Sequence, residues 1–240
     1  MEIVAHRAGA GGLPQESGLE PSVRLRRALG GPADRIELDA WLFDGRLVVA
    51  HDRRDAGRPG VLGFDDALAL IDASGVRVLA DIKDRAAARP LGELLAARGF
   101  GGRTIVCGRL DDVELAGRIS GSARAWTLPT GRGPGLGLGG QPATGGREPA
   151  APPGFVGLAT RKARRRVELA GSSGIEAGRC DALTVDHRFV SQGLVRRVHA
   201  AGGRVLAWTV DDPVEAGRLA GLGVDELITN DPDVVAVALS

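Results

Sequence analysis

Residues 35–52 read Arg-Ile-Glu-Leu-Asp-Ala-Trp-Leu-Phe-Asp-Gly-Arg-Leu-Val-Val-Ala-His-Asp. Glu37 and Asp39 are two apart, and in a strand that spacing puts both on one face, where they can share a divalent cation. Asp44-Gly45 is a strong two-residue hairpin signal. A chain that folds back there returns 47–50 antiparallel and brings His51 down beside Glu37 and Asp39. Two acids and an imidazole on adjacent strands are costly to bury without compensating charge. A metal ion, or a metal with an anionic substrate, would supply it. His6-Arg7 follows the apolar run 3–5, and Asp81 and Lys83 share a face at the end of a second apolar run.

Glu-x-Asp, Asp-Gly, Leu-Val-Val-x-His-Asp and a His-Arg pair after the first strand, in that order, resemble the glycerophosphodiester phosphodiesterase family. The resemblance runs from His6 to Pro232 and is poor over 129–179. It implies a metal-dependent phosphoric diester hydrolase that splits glycerophosphodiesters into an alcohol and glycerol 3-phosphate, as a step of lipid metabolism. It also implies a phospholipase C-like phosphodiesterase barrel. The family's third metal ligand is the Glu of a Glu-Ile-Lys strand end; Asp81-Ile-Lys83 stands there, as in the related sphingomyelinase D enzymes. Glu37, Asp39 and Asp81 are then the metal ligands, and an all-oxygen set suits Mg²⁺ or Ca²⁺. The alternative is a salt-bridge network of these carboxylates with Lys83 and Arg7.

Phosphodiester cleavage needs one group to deprotonate the nucleophile, whether water or a substrate hydroxyl, and another to protonate the leaving alkoxide. His6 and His51 can divide those tasks. Arg7 and Lys83 are expected to hold the phosphate. Trp208, in a Trp-Thr-Val segment similar to the family's, walls the pocket or packs in the core. Glu16, in Pro14-Gln-Glu-Ser17, resembles the family's Pro-Glu-Asn-Thr loop and is a pocket candidate. Ala8 replaces the Gly that follows His-Arg in the family, and only Gly takes a left-handed conformation without cost. Trp41, Trp126 and His199 read as structural, and so does the Thr229-Asn-Asp-Pro232 segment, which resembles the family's closing Thr-Asp-x-Pro. The family's insertion after His-Asp is largely missing. That shortening and Asp81 favour a second reading, a lysophospholipase D or sphingomyelinase D-like enzyme. A catalytically silent barrel acting as a binding protein is the reading of another class.

The elements that must position these residues alternate. Strands are expected at 3–5, 36–40, 78–82, 104–107, 123–128, 182–185, 205–209 and 226–229. Helices are expected at 21–29, 64–73, 91–98, 111–119, 193–200 and 214–222, with a loop at 53–63. Eight parallel strands with crossover helices predict a (β/α)8 TIM barrel, with a hairpin excursion after the second strand. The strand ends, and so the candidate site, then share one face. Residues 129–154 are Gly, Pro, Ala and Thr with few large apolar side chains, and read as a flexible insertion after the fifth strand within one domain, 1–240. The basic run 161–166 reads as a solvated helix face.

A 240-residue chain suits one such barrel, and 43% hydrophobic residues supply its core. A net charge of +1 gives no electrostatic footprint for nucleic acid. No run is long enough for stable membrane insertion, no signal peptide is legible, and Cys107 and Cys180 fit no metal or redox spacing. The expected setting is the cytoplasm, and the expected partner is a small-molecule phosphodiester. The oligomeric state has no signal in the sequence.

Overall fold

The structure, a computed structural model, describes residues 1–8, 20–128 and 172–240. Glu16, the 129–154 insertion and the basic run 161–166 lie outside the described residues.

The described strands are β1 (Glu2–Ala5), β2 (Arg35–Phe43), β3 (Arg46–Val49), β4 (Arg77–Ile82), β5 (Thr104–Gly108), β6 (Ala123–Thr127), β7 (Ala182–Asp186), β8 (Arg204–Trp208) and β9 (Glu226–Thr229). They form one sheet in the order β1-β9-β8-β7-β6-β5-β4-β2-β3, and β1 also pairs with β2. That last pairing closes eight parallel strands into a barrel, so the expected (β/α)8 architecture is the observed one. β3 is the exception. It pairs antiparallel with 40–43 of β2, beyond most of the segment that pairs with β4. The hairpin turns on Asp44 and Gly45, at φ 46° and 74°. Two left-handed residues are what a type I′ turn requires, and Asp-Gly supplies them cheaply.

The described helices are α1 (Pro21–Leu29), α2 (Arg53–Ala56), α3 (Phe64–Asp72), α4 (Ala88–Ala97), α5 (Leu110–Ser120), α6 (Gln192–Ala200), α7 (Pro213–Gly221) and α8 (Pro232–Leu239); residues 172–176 are also helical. Two differ from the expectation. The 53–63 stretch is not all loop: the Asp52 carboxylate accepts the Asp55 N–H at 2.9 Å and nucleates α2. The sequence reading also assigns no helix after Pro232. α8 forms there with Asp231 as N-cap, its side chain accepting the Val234 N–H, and Pro232 in the first turn.

Alternation along the strands builds two environments. Ile36, Leu38 and Ala40 of β2 pack in one cluster with Leu25, Phe64 and Leu68 of the surrounding helices. Val4, Leu79, Ile105, Cys107, Ala125, Ala182, Leu206 and Ile228 form a separate cluster, the barrel interior. By the period of two, the inward series is 2-4-6, 35-37-39, 77-79-81-83, 204-206-208 and 226-228-230. The first member of each series is charged. Arg35 Nε stands 3.1 Å from Glu226 Oε2, Arg204 reaches Glu226 at 2.9 Å, and Arg77 reaches Glu2 at 3.1 Å. These ion pairs fill the N-terminal end of the barrel. The last members lie at the opposite, C-terminal end, and they include His6, Asp39, Lys83, Trp208 and Asn230.

Candidate active site

Parallel pairing of β2 with β4 puts Asp39 directly beside Asp81, and Glu37 is two residues down the same face. Glu37, Asp39 and Asp81 each offer a carboxylate oxygen within 4.8 Å of the others. Glu37 and Asp39 are buried, and Asp81 is partly open to the mouth. Burial pushes the Glu37 carboxyl above its ordinary range; the Asp39 and Asp81 charges add to this, while His6 and Lys83 oppose it. Both carboxylate oxygens of Asp39 are buried without a hydrogen-bond partner.

Lys83 Nζ lies 3.1 Å from Asp39 Oδ1 and closer still to Asp81 Oδ2. Burial works against its charge, but Asp81, Asp39 and Glu37 together hold its pKa well above the ordinary lysine value. One ammonium therefore answers three carboxylates. Asp39 Oδ1 faces Lys83, and Asp39 Oδ2, buried with no hydrogen-bond partner, marks where positive charge is short. A hard divalent cation fits this donor set. The salt-bridge alternative accounts for Lys83 and Asp39 Oδ1 but leaves Asp39 Oδ2 buried without a hydrogen-bond partner.

His6 follows β1. Its Nε2 stands 3.4 Å from Glu37 Oε2, and its Nδ1 is 2.7 Å from Asn230 Oδ1. Asn230 in turn is tied to Asp211, at 2.8 Å from its side-chain amide nitrogen and 2.8 Å from its backbone N–H. Sequence reading missed Asn230 and Asp211; the only signal was the likeness of 229–232 to a closing motif. Arg7 takes φ 49°, and its backbone N–H donates to Glu37 Oε2 at 3.1 Å. The left-handed residue is thus Arg7 and not residue 8, so Ala8 is accommodated, buried against the core.

The hairpin does return the chain as expected. The Ala50 N–H donates to the Asp39 carbonyl at 3.0 Å, which sets His51 at the barrel mouth. His51 is half-buried, and that burial lowers its pKa; the Arg7 charge lowers it further, while Asp39 works the other way. Trp208 ends β8 and packs on the interior cluster, half-buried, with its indole N–H unpartnered. Trp41 packs on the hairpin with Val48, Ala50 and Ala56, and Trp126 packs in the outer core. His199 pairs with Asp225 at 2.9 Å, away from the site. His187 Nδ1 donates to the Glu215 carboxylate at 2.9 Å.

The sequence of residues 149–234 matches the model of the glycerophosphoryl diester phosphodiesterase family. No curated protein matches the chain in sequence. In fold, the chain is similar to a glycerophosphodiester phosphodiesterase from Parabacteroides distasonis, with a TM-score of 0.71 and 17% identity over 99% of this chain and 96% of that one. It is similar to an Oleispira antarctica phosphodiesterase, solved in complex with the product sn-glycerol-3-phosphate, with a TM-score of 0.67 and 17% identity over 100% and 96%. Orotidine 5'-phosphate decarboxylase from Pyrococcus horikoshii shares the barrel more distantly, with a TM-score of 0.51 and 15% identity over 99% and 95%. The barrel alone therefore does not decide the chemistry. The chain is similar to the glycerophosphoryl diester phosphodiesterase family in its C-terminal sequence, and to solved glycerophosphodiester phosphodiesterases in its whole fold.

Proposed function

We propose that this protein is a metal-dependent phosphoric diester hydrolase acting on glycerophosphodiesters. The observation that carries the reading is the cluster of Glu37, Asp39 and Asp81 beside His6, with the two oxygens of Asp39 left without hydrogen bonds. Mg²⁺ or Ca²⁺ held by those three residues would supply Lewis-acid polarisation of the phosphoryl oxygen. Lys83 moves from pairing carboxylates to pairing a phosphate oxygen when the substrate adds its own charge. Arg7, whose charge is felt at His51, offers a second cation to the phosphate.

His6 and His51 carry the protons. One takes a proton from the attacking water, or from a substrate hydroxyl whose cyclic phosphate water then opens, as its oxygen bonds to phosphorus. The other gives a proton to the alcohol oxygen as the bond from phosphorus to that oxygen breaks. The products are the alcohol and glycerol 3-phosphate. The lowered pKa of His51 suits the base, since burial keeps its imidazole neutral. Trp208 closes one side of the mouth against water.

Among the described residues, no helix is long and apolar enough to cross a membrane. Cys107 and Cys180 are free and buried, which supports a reducing compartment such as the cytoplasm. The test is hydrolysis of glycerophosphocholine beside lysophosphatidylcholine, with Mg²⁺ or Ca²⁺, following glycerol 3-phosphate and choline. Release of glycerol 3-phosphate from the first substrate is expected. No turnover of it with either metal would overturn the reading; a preference for the second would move the protein to the phospholipase D class.

A further inference from the structure

We infer that Asn230 and Asp211 are positioning residues that set the tautomer of His6, holding a proton on Nδ1 and presenting a bare Nε2 to the carboxylate cluster. The inference deepens the hydrolase reading, and part of its test does not depend on it.

Asp211 is the fixed end of this chain of contacts. A carboxylate at neutral pH only accepts hydrogen bonds. Its Oδ2 is 2.8 Å from the Asn230 side-chain nitrogen, and its Oδ1 accepts from the Asn230 backbone N–H at 2.8 Å and from Thr229 Oγ1 at 3.1 Å. The Asn230 amide must therefore turn its NH₂ toward Asp211. Reversed, it would set oxygen against oxygen. With the NH₂ committed, the amide oxygen is what faces His6, 2.7 Å from Nδ1. An amide oxygen has no proton to give, so Nδ1 has to carry one. The chain of contacts has one consistent direction, from His6 through Asn230 to Asp211.

The consequence falls on the other nitrogen. A neutral His6 has its lone pair on Nε2, and Nε2 is 3.4 Å from Glu37 Oε2. The tautomer with the proton on Nε2 is the commoner one for a histidine side chain free in water, so the protein imposes the rarer one. Nε2 is then the nitrogen through which His6 exchanges its proton with the reacting groups. The anchor is also well placed. Asn230 continues the inward series of β9, and Asp211 lies just past β8. The relay therefore crosses two neighbouring strand ends and ties His6 on β1 to both. Thr229 and Asp231 secure its base: the Asp231 N–H donates to Thr229 Oγ1 at 3.0 Å, and Asp231 caps α8.

The experiment uses the full chain with ¹⁵N-labelled histidine, in the presence of Mg²⁺, at a pH of about 9, where an ordinary imidazole is neutral. Imidazole nitrogen shifts report the tautomer without any turnover. His6 is expected as the Nδ1–H form, and as a mixture of tautomers in Asn230→Ala. The exchange Asn230→Asp with Asp211→Asn keeps an acceptor for Nδ1–H and gives that carboxylate an amide to accept from, and is expected to keep the tautomer. With glycerophosphocholine, Asn230→Ala is expected to lower kcat at least about tenfold with KM within about threefold, and the exchanged pair to recover much of it. Circular dichroism and melting of each variant identify any that fail to fold, and Asp211→Asn, which loses the orienting carboxylate, is the second variant. An Nε2–H form of His6 in the native protein would overturn the inference. So would an unchanged tautomer in folded Asn230→Ala. If glycerophosphocholine is not hydrolysed while the tautomer behaves as stated, the hydrolase reading falls and the positioning role stands.

Discussion

Asp39 and Asp81 sit side by side in register on two parallel strands, β2 and β4, and both side chains enter the barrel. Like-charged neighbours at that spacing destabilise a sheet unless a cation lies between them. Lys83 supplies one charge, at Asp39 Oδ1 and Asp81 Oδ2, and leaves Asp39 Oδ2 buried without a hydrogen-bond partner.

The metal prediction follows from that pair. EDTA should abolish activity, and Mg²⁺ or Ca²⁺ should restore it. The same ions should raise the melting temperature, since binding at one hundred times Kd stabilises by about 2.7 kcal/mol. Asp81→Ala should raise the metal requirement far more than Asp55→Ala, whose side chain lies in α2 against Arg58. Full activity after exhaustive chelation, or equal effects of the two substitutions, would refute it.

Removal of either histidine tests the proton carriers. His6→Ala and His51→Ala should each lower kcat by about 10²–10⁴-fold with saturating metal. The double substitution should cost much less than the product of the two, because they serve one reaction. His199→Ala, with its partner Asp225 at the far end of the barrel, is the control. Near-native turnover in His51→Ala beside a dead His6→Ala would leave one histidine, not two, in the mechanism.

At the other end of the barrel, Glu226 is fully buried between Arg35 and Arg204. Its removal leaves the buried Arg35 guanidinium with only the longer contact to Glu2, at 3.5 Å, and the Val78 carbonyl, at 3.2 Å. Glu226→Gln should lower stability by about 3–5 kcal/mol, read from urea unfolding. Arg35→Met with Glu226→Leu should recover much of that, since apolar groups need no partner. A loss below about 1 kcal/mol for Glu226→Gln would show the pair to be replaceable by water.

Glu215 gives an acid-side signature. Hydrogen bonds from Arg218 and then His187 lower its carboxyl from 4.5 to about 2. A folded pKa below the unfolded one means the native state binds the proton more weakly. The stabilisation is therefore complete above about pH 4.5 and is lost as pH falls toward about 2. Unfolding midpoints of the native protein and Glu215→Gln should differ near neutrality and converge across that window. A constant difference would disprove the linkage.

What the sequence determined by itself was local and periodic. Apolar runs of strand length alternating with amphipathic helices specified eight strands, because period-two and period-3.6 burial leave different marks on the chain. Asp44-Gly45 specified the hairpin, because few residues accept two successive left-handed conformations. Glu37, Asp39, Asp81 and Lys83 were legible as pairs sharing a face, because that too is a property of one strand. Closure of the barrel then decided everything that depends on distant strands meeting. The register that sets Asp39 beside Asp81 is one such result. Arg35 finding Glu226 is another, 191 residues apart. His6 finding Asn230, 224 residues apart, is the longest reach. α8 was missed for a different reason: its eight residues are mostly apolar on all sides, and its N-cap and proline were absorbed into the reading of a closing motif. No pattern within a strand encodes which strand will be its neighbour, so those partnerships belong to the tertiary structure.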